Sequence, residues 1–191
     1  MGGIVTAIAE ARQPGLFRRI AMLDPPIHPT PDLIAGLRLD LDSRSPGDQA
    51  SLVEQTRRRK AIWPSREAAR AAWRTKPMFA AMSDRAFELY LQAGLADQDD
   101  GTVALKCAPA VEAHVFETTH GPSVLDYGPK VAAPVLLVHA ATGHFPFSLY
   151  ESLSTVFPNC TLTRLPAGHL LPLEAPDLTA AALEDFAQKS P

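Results

Sequence analysis

The stretch Ala167-Gly168-His169-Leu170-Leu171-Pro172-Leu173-Glu174-Ala175-Pro176 holds the residue best placed for chemistry. His169 follows a glycine, just after a strand-like run and just before the last helix-like one. A histidine is the usual general base because imidazole titrates near working pH. In parallel sheets the functional loops lie beyond the carboxyl ends of the strands, and His169 falls there. Gly168 would let the chain turn tightly so that the ring projects. The same context also fits a loop histidine that only hydrogen-bonds its neighbours. Asp24 is the second candidate. It closes the run Ile20-Ala21-Met22-Leu23, and a carboxylate there can hold an imidazole in one tautomer, the orienting job in a triad. A helix cap or a loop ion pair is the alternative. His139 and His144 flank the end of another apolar run and suit either ligand contact or a polar loop and a satisfied buried histidine. His28, His114 and His120 are scattered. No pair has His-x-x-x-His spacing and no carboxylate pattern reads as a metal site, so neither metal nor cofactor is expected.

Placing those side chains takes a sheet. Residues 2–13 are helical in pattern and stop at the breaker pair Pro14-Gly15. The continuous apolar run 20–23 suits a strand buried on both faces. Val135-Leu136-Leu137-Val138, after Pro134, is a second strand, and the alternating Thr161-Leu162-Thr163-Arg164-Leu165 a third. Helices are expected at 147–157, where Leu149, Tyr150, Leu153, Val156 and Phe157 recur at helical spacing, and at about 177–189, with Asp177 at its start. Strands alternating with helices imply an α/β fold with a parallel sheet and helices on its faces. Three strands make a thin sheet, with an edge of unpaired backbone groups. From about 27 to 120, prolines, charges and alanine-rich stretches dominate. Helices are expected there at 49–61, 65–75 and 83–93, the last capped by Ser83 and ended by Gly94. That segment shows no strand alternation and reads as a mostly helical insert. The division is therefore 1–29 for the start of the core, 30–125 for the insert and 126–191 for the rest of the core.

The 191 residues suffice for one domain or one domain with a small insert. Hydrophobic residues make up 46%, charged ones 20%, and the net charge is -3. That balance argues against a nucleic-acid partner, which calls for a strongly basic surface. Arg57-Arg58-Arg59-Lys60 reads as the solvated face of a helix rather than a phosphate site. Cys107 and Cys160 are too few and too far apart for a disulfide framework, so buried reduced thiols are expected. The sequence opens on no basic-then-apolar leader, and no run approaches the roughly 18 apolar residues of a membrane span. The expectation is a cytoplasmic protein with no membrane partner.

In their order and spacing, these segments resemble the α/β-hydrolase family, in its capped branch. GHLLPLEAP resembles the catalytic-histidine loop, PVLLVHA the strand two elements earlier and RRIAMLDPP the strand before the cap. YLQAGLADQDDGTVALKCAPAVEAHVFE resembles the end of a helical cap. Together they cover essentially the whole chain. In this family the nucleophile stands in Gly-x-Ser-x-Gly at a strand-to-helix turn, commonly as Gly-His-Ser-Met-Gly-Gly. The chain begins Met1-Gly2-Gly3 and runs into a helix. The resemblance thus implies that Met1 is the residue after the serine. The serine, the strands before it and a second oxyanion loop then stand outside this chain.

The resemblance further implies that His169 is the general base. The acid most often follows the strand ending at Val138, where this chain has Ala140-Ala141-Thr142-Gly143 and no carboxylate. Haloalkane dehalogenases, like some other relatives, take it from the preceding strand, the place of Asp24. The Met1 backbone N–H is implied as one oxyanion donor, altered here by the terminal amine. A methionine before two glycines is similar to the serine branch rather than to the dehalogenases, whose nucleophilic aspartate is followed by tryptophan. The expected function is hydrolysis of a small-molecule ester, lactone or related acyl bond, in a truncated chain that is inactive alone. Substrate-lining candidates are Trp63, Trp73, Met78, Phe79, Phe87, His139 and His144, although packing of the cap's own core fits most of the aromatic ones. Two alternatives stay open. One is a non-catalytic binding or interaction module derived from a hydrolase, its bare sheet edge covered by a partner or by self-association. The other is an active hydrolase with Ser43, Ser45 or Ser123 as replacement nucleophile, although no elbow surrounds these serines.

Overall fold

Gly2–Arg12 forms the first helix, α1, in the computed structural model, which describes residues 1–26, 49–118 and 124–188. The chain divides into one unit of Met1–Ser43 with Pro122–Pro191, and a second of Arg44–Gly121.

In the first unit α1 leads to β1 (Ile20–Leu23). The loop between them is held by the buried Glu10, whose carboxylate accepts the Gly15 N–H at 2.8 Å and the Phe17 N–H at 3.0 Å. Those two bonds hold its carboxyl below the usual carboxylate range. Gly15 takes φ +91°, a left-handed turn that glycine makes without strain.

The second unit contributes α2 (Gln49–Arg57), β2 (Ile62–Trp63), α3 (Arg66–Arg74), α4 (Pro77–Ala80), α5 (Asp84–Gly94), β3 (Leu95–Asp97), β4 (Val103–Leu105) and α6 (Pro109–Thr118). The chain then returns to the first unit as α7 (Val124–Tyr127), a short 3-10 turn, β5 (Val135–Ala140), α8 (Phe147–Ser154), β6 (Cys160–Leu165), α9 (Leu171–Glu174) and α10 (Pro176–Gln188).

The first unit's sheet is parallel, in the order β1-β5-β6. Ile20 pairs with Val135 and Leu23 with Val138, while Val135 pairs with Cys160 and Ala140 with Leu165. As the middle strand, β5 is buried at all its positions. Alternate residues point to opposite faces. Val135 and Leu137 join Ala7 of α1 and Leu149, Tyr150 and Leu153 of α8 on one side. Leu136, Val138 and Ala140 join Leu171 of α9 and Phe186 of α10 on the other. Helices on both faces explain why the strand reads as an unbroken apolar run. The expected α/β fold with three parallel strands is what the chain adopts.

The second unit is mostly helical, with Ser65 and Ser83 capping α3 and α5 through bonds from the Ala68 and Ala86 N–H groups. It also holds a small antiparallel sheet, order β2-β4-β3, absent from the sequence expectation. Its strands are two or three residues long, too short to show alternation. The basic run is matched by carboxylates. Arg57 meets Glu117, Arg58 meets Glu54 and Arg59 meets Glu112, while Lys60 lies over the Trp63 ring. The helix expected over 49–61 ends at Arg57, so Arg58, Arg59 and Lys60 follow it on a turn rather than on its face. Both cysteines are free, but neither is fully buried as expected: Cys107 is exposed just after β4 and Cys160 is half-buried at the start of β6. Burial pushes the Cys160 thiol up to about 11. Among the described residues, no helix is long and apolar enough to cross a membrane, and no group of three or more His, Cys, Asp or Glu is arranged to hold a metal ion.

Candidate active site

The β1–β5 ladder runs one residue past β1, where the Asp24 N–H donates to the Val138 carbonyl at 2.8 Å. Asp24 then takes φ +40° and is the one described non-glycine residue with positive φ. Such backbone costs of order 1–3 kcal/mol and persists where surrounding contacts over-determine it. Those contacts are visible. Oδ1 of Asp24 accepts the Ala140 N–H at 2.9 Å and the Tyr150 hydroxyl at 2.9 Å. Oδ2 stands 2.7 Å from Nδ1 of His169. Asp24 is 1% exposed, while the His169 side chain is 33% exposed. The carboxylate is thus sealed in and the imidazole keeps a way out.

Burial pushes the Asp24 carboxyl up. The bonds from His169, Ala140 and Tyr150, with the histidine's charge, outweigh it and hold the group below the usual carboxylate range. For Tyr150, burial and then the neighbouring Asp24 charge raise the phenol far above its ordinary value, so it stays a donor. An ionised carboxylate beside Nδ1 fixes the ring proton there. Assigned from these partners, His169 keeps its lone pair on Nε2, as a general base requires.

Gly143 makes room for this arrangement, since a Cβ there would lie 2.9 Å from Oδ2 of Asp24 and 3.1 Å from Cβ of Ala140. The pairing of β1 with β5 thus brings Asp24 to the loop where the sequence shows Ala140-Ala141-Thr142-Gly143 and no carboxylate. On the other flank, Gly168 is outside the left-handed region. The tight turn expected of it is not the reason for a glycine there. Space is the reason, because the carboxylate of Glu174 fills the place of its side chain.

The remaining candidates separate. The exposed His144 ring lies 5.7 Å from that of His169. His139 is buried at 2% exposure. Its Nε2 is 3.0 Å from the Phe145 carbonyl, and its ring packs on Phe147 and Tyr150. His114 is exposed on α6 beside Glu117. Met1 stands at the start of α1, its carbonyl accepting the Ile4 and Val5 N–H groups, and burial lowers the pKa of its amine. In the second unit Trp63, Trp73, Phe79 and Phe87 are buried and form one ring cluster with Tyr90, while Met78 is exposed. Ser43, Ser45, Ser123, His28 and His120 lie outside the described residues.

No protein-family model and no curated protein matches the sequence. Solved structures match by shape. A peroxisomal α/β-hydrolase of Saccharomyces cerevisiae aligns with TM-score 0.73 at 17% identity, over 99% of this chain and 52% of that one. An esterase of Mycobacterium tuberculosis aligns with TM-score 0.70 at 13% identity, over 98% and 60%. E-2-(acetamidomethylene)succinate hydrolase aligns with TM-score 0.69 at 16% identity, over 98% and 64%.

The chain has the α/β-hydrolase fold, in part.

It spans 52% to 64% of the length of these structures. Within this partial α/β-hydrolase fold, Asp24 and His169 sit at the carboxyl ends of β1 and β6. Sequence reasoning missed Tyr150, Gly143 and Glu174 as parts of the site. Tyr150 counted only as an apolar helix position, and nothing local shows that its hydroxyl meets a residue 126 positions away. For Glu174 a signal existed, a carboxylate six residues after Gly168 on the same loop.

Proposed function

We propose that this chain supplies the acid–base half of a serine hydrolase acting on an ester, lactone or related acyl bond of a small molecule. The contact from Asp24 Oδ2 to His169 Nδ1, 2.7 Å long and buried on the aspartate side, carries the reading. In the proposed reaction a serine Oγ attacks the acyl carbon while Nε2 of His169 takes its proton. Asp24 stays ionised and stabilises the imidazolium. The proton then passes to the leaving alkoxide as the bond to the acyl carbon breaks. A water molecule repeats the sequence on the acyl-enzyme, giving up its proton to Nε2 and releasing the acid and the free serine.

The nucleophile in this reading is a serine directly before Met1 in the parent sequence, at a Gly-x-Ser-Met-Gly-Gly turn. The Met1 N–H serves there as an oxyanion donor, worth about 3–4 kcal/mol in such sites. The second unit is the cap. Of the substrate-lining candidates in it, Met78 is exposed and the aromatic ones are buried.

The test compares this chain with one whose reading frame continues upstream of the Met1 codon. Gly-x-Ser is expected in that frame. Turnover of p-nitrophenyl acetate is expected from the longer chain, is lost in His169→Ala, and is absent from the shorter chain. A stop codon close upstream, or turnover by the short chain that vanishes in His169→Ala, overturns the proposal.

A further inference from the structure

We infer that Glu174 is a positioning residue for His169. Its functional meaning rests on the acid–base reading above. One carboxylate oxygen, Oε2, accepts the Gly168 N–H at 2.8 Å, and the other, Oε1, accepts the Leu170 N–H at 3.1 Å. These are the residues immediately before and after the histidine. The Glu174 N–H in turn donates to the Leu170 carbonyl at 3.0 Å. The N–H groups of the residues before and after His169 are therefore tied to one side chain, and the short helix α9 that carries this side chain is tied back to the same loop. A carboxylate accepting charge-assisted bonds from two fixed donors has little freedom. It sets the backbone at 169, and with it the position of Nδ1 against Asp24.

Gly168 shows how closely the clamp sits on the backbone. A Cβ there would lie 2.7 Å from Oε1 of Glu174 and closer still to Oε2, and the three nearest atoms all belong to Glu174. The φ of Gly168 is not left-handed, so the backbone itself admits alanine. The nearest conflict for a side chain at 168 is with this carboxylate. Any larger residue at 168 must push the clamp open.

The test reads the His169 ring directly, by nuclear magnetic resonance of the chain labelled with ¹⁵N-histidine. Wild type is expected to show an Nδ1–H proton protected from exchange and a single Nδ1–H tautomer. Glu174→Ala is expected to lose the protected proton and to show mixed tautomers, with the His139 signals unmoved. Gly168→Ala is expected to show the same loss. The double variant is expected to be no worse than Glu174→Ala alone, because the atoms in conflict with the new methyl group are gone. Glu174→Gln, which keeps one acceptor oxygen but turns an N–H toward a backbone N–H, is expected to weaken the signal without abolishing it. It also serves if the alanine variant does not fold. A wild-type signal that survives in Glu174→Ala, or in Glu174→Gln at full strength, overturns the inference and leaves the acid–base reading standing. Additive losses in the double variant overturn it too. A wild type without the protected proton sinks the acid–base reading itself, and the positioning role with it.

Discussion

Tyr150→Phe isolates one contact of the buried carboxylate. The hydroxyl lies 2.9 Å from Asp24 Oδ1 and 3.0 Å from the Pro25 carbonyl. A phenol has one proton to give, and the ionised carboxylate is the stronger acceptor, so the proton goes to Asp24. Phenylalanine keeps the ring on His139, at 4.7 Å between centroids, and its place among Leu149 and Leu153. The change therefore removes one hydrogen bond to a charged group and little packing. Such a bond contributes about 1.5–3 kcal/mol. At about 2–4 °C per kcal/mol for a chain of this size, the midpoint falls by about 3–12 °C. The sign of the pH dependence follows from Asp24, whose folded-state pKa is held below its unfolded value. Removing a donor raises the folded value. The stability difference between wild type and variant is therefore fully present above the ordinary aspartate pKa of about 3.9. It shrinks as pH falls through the lower, folded value. Urea unfolding of both proteins at pH 7, 5 and 3 reads it. A difference under about 0.5 kcal/mol at pH 7 refutes the reasoning, as does one that grows toward pH 3.

Three further substitutions probe the same framework. Asp24→Asn must keep its oxygen toward the Ala140 N–H and Tyr150, so its amide N–H faces His169 and drives the ring proton to Nε2. ¹⁵N shifts read the tautomer, and a retained Nδ1–H form would count against the geometry. Gly143→Ala puts a methyl group 2.9 Å from Asp24 Oδ2. It is expected to cost about 1–3 kcal/mol in urea unfolding, as overpacking does, and a neutral result means that the loop yields. Leu137→Ala empties a fully buried site on the middle strand and is expected to cost about 2–5 kcal/mol, checked by the shift of the urea midpoint at constant slope.

The sheet was legible because its middle strand is buried on both faces, although β1 alternates buried with half-buried positions and β6 is mostly half-buried. Runs such as 20–23 and 135–138 carry no polar residue to confuse them with a turn. The helix ends at Pro14-Gly15, Ser83 and Gly94 were legible for the same local reason, their capping and breaking chemistry. The antiparallel sheet of the second unit was not, since two- and three-residue strands have no period to read. One sign was present. Asp99-Asp100-Gly101-Thr102 is a hairpin-type turn, with Gly101 at φ +81° and a Gln98 N–H to Thr102 carbonyl bond at 2.9 Å. At the site, His169 and Asp24 stood out because each ends a strand. Tyr150 did not, because its hydroxyl acts on a residue far outside its own segment, while Glu174 offered a local signal that was not read.

Asp24 and His169 are 145 residues apart, and they follow the two outer strands, which touch β5 and not each other. Their meeting depends on two separate ladders, and a slip of one residue in either would shift a strand end by about 3.3 Å and reverse its faces. The Nδ1–H proton is therefore a clock for folding as well as a part of the site. In refolding it must lag both strand pairings, and its arrival marks the moment when a loop running through an entire second unit has been closed in the right register.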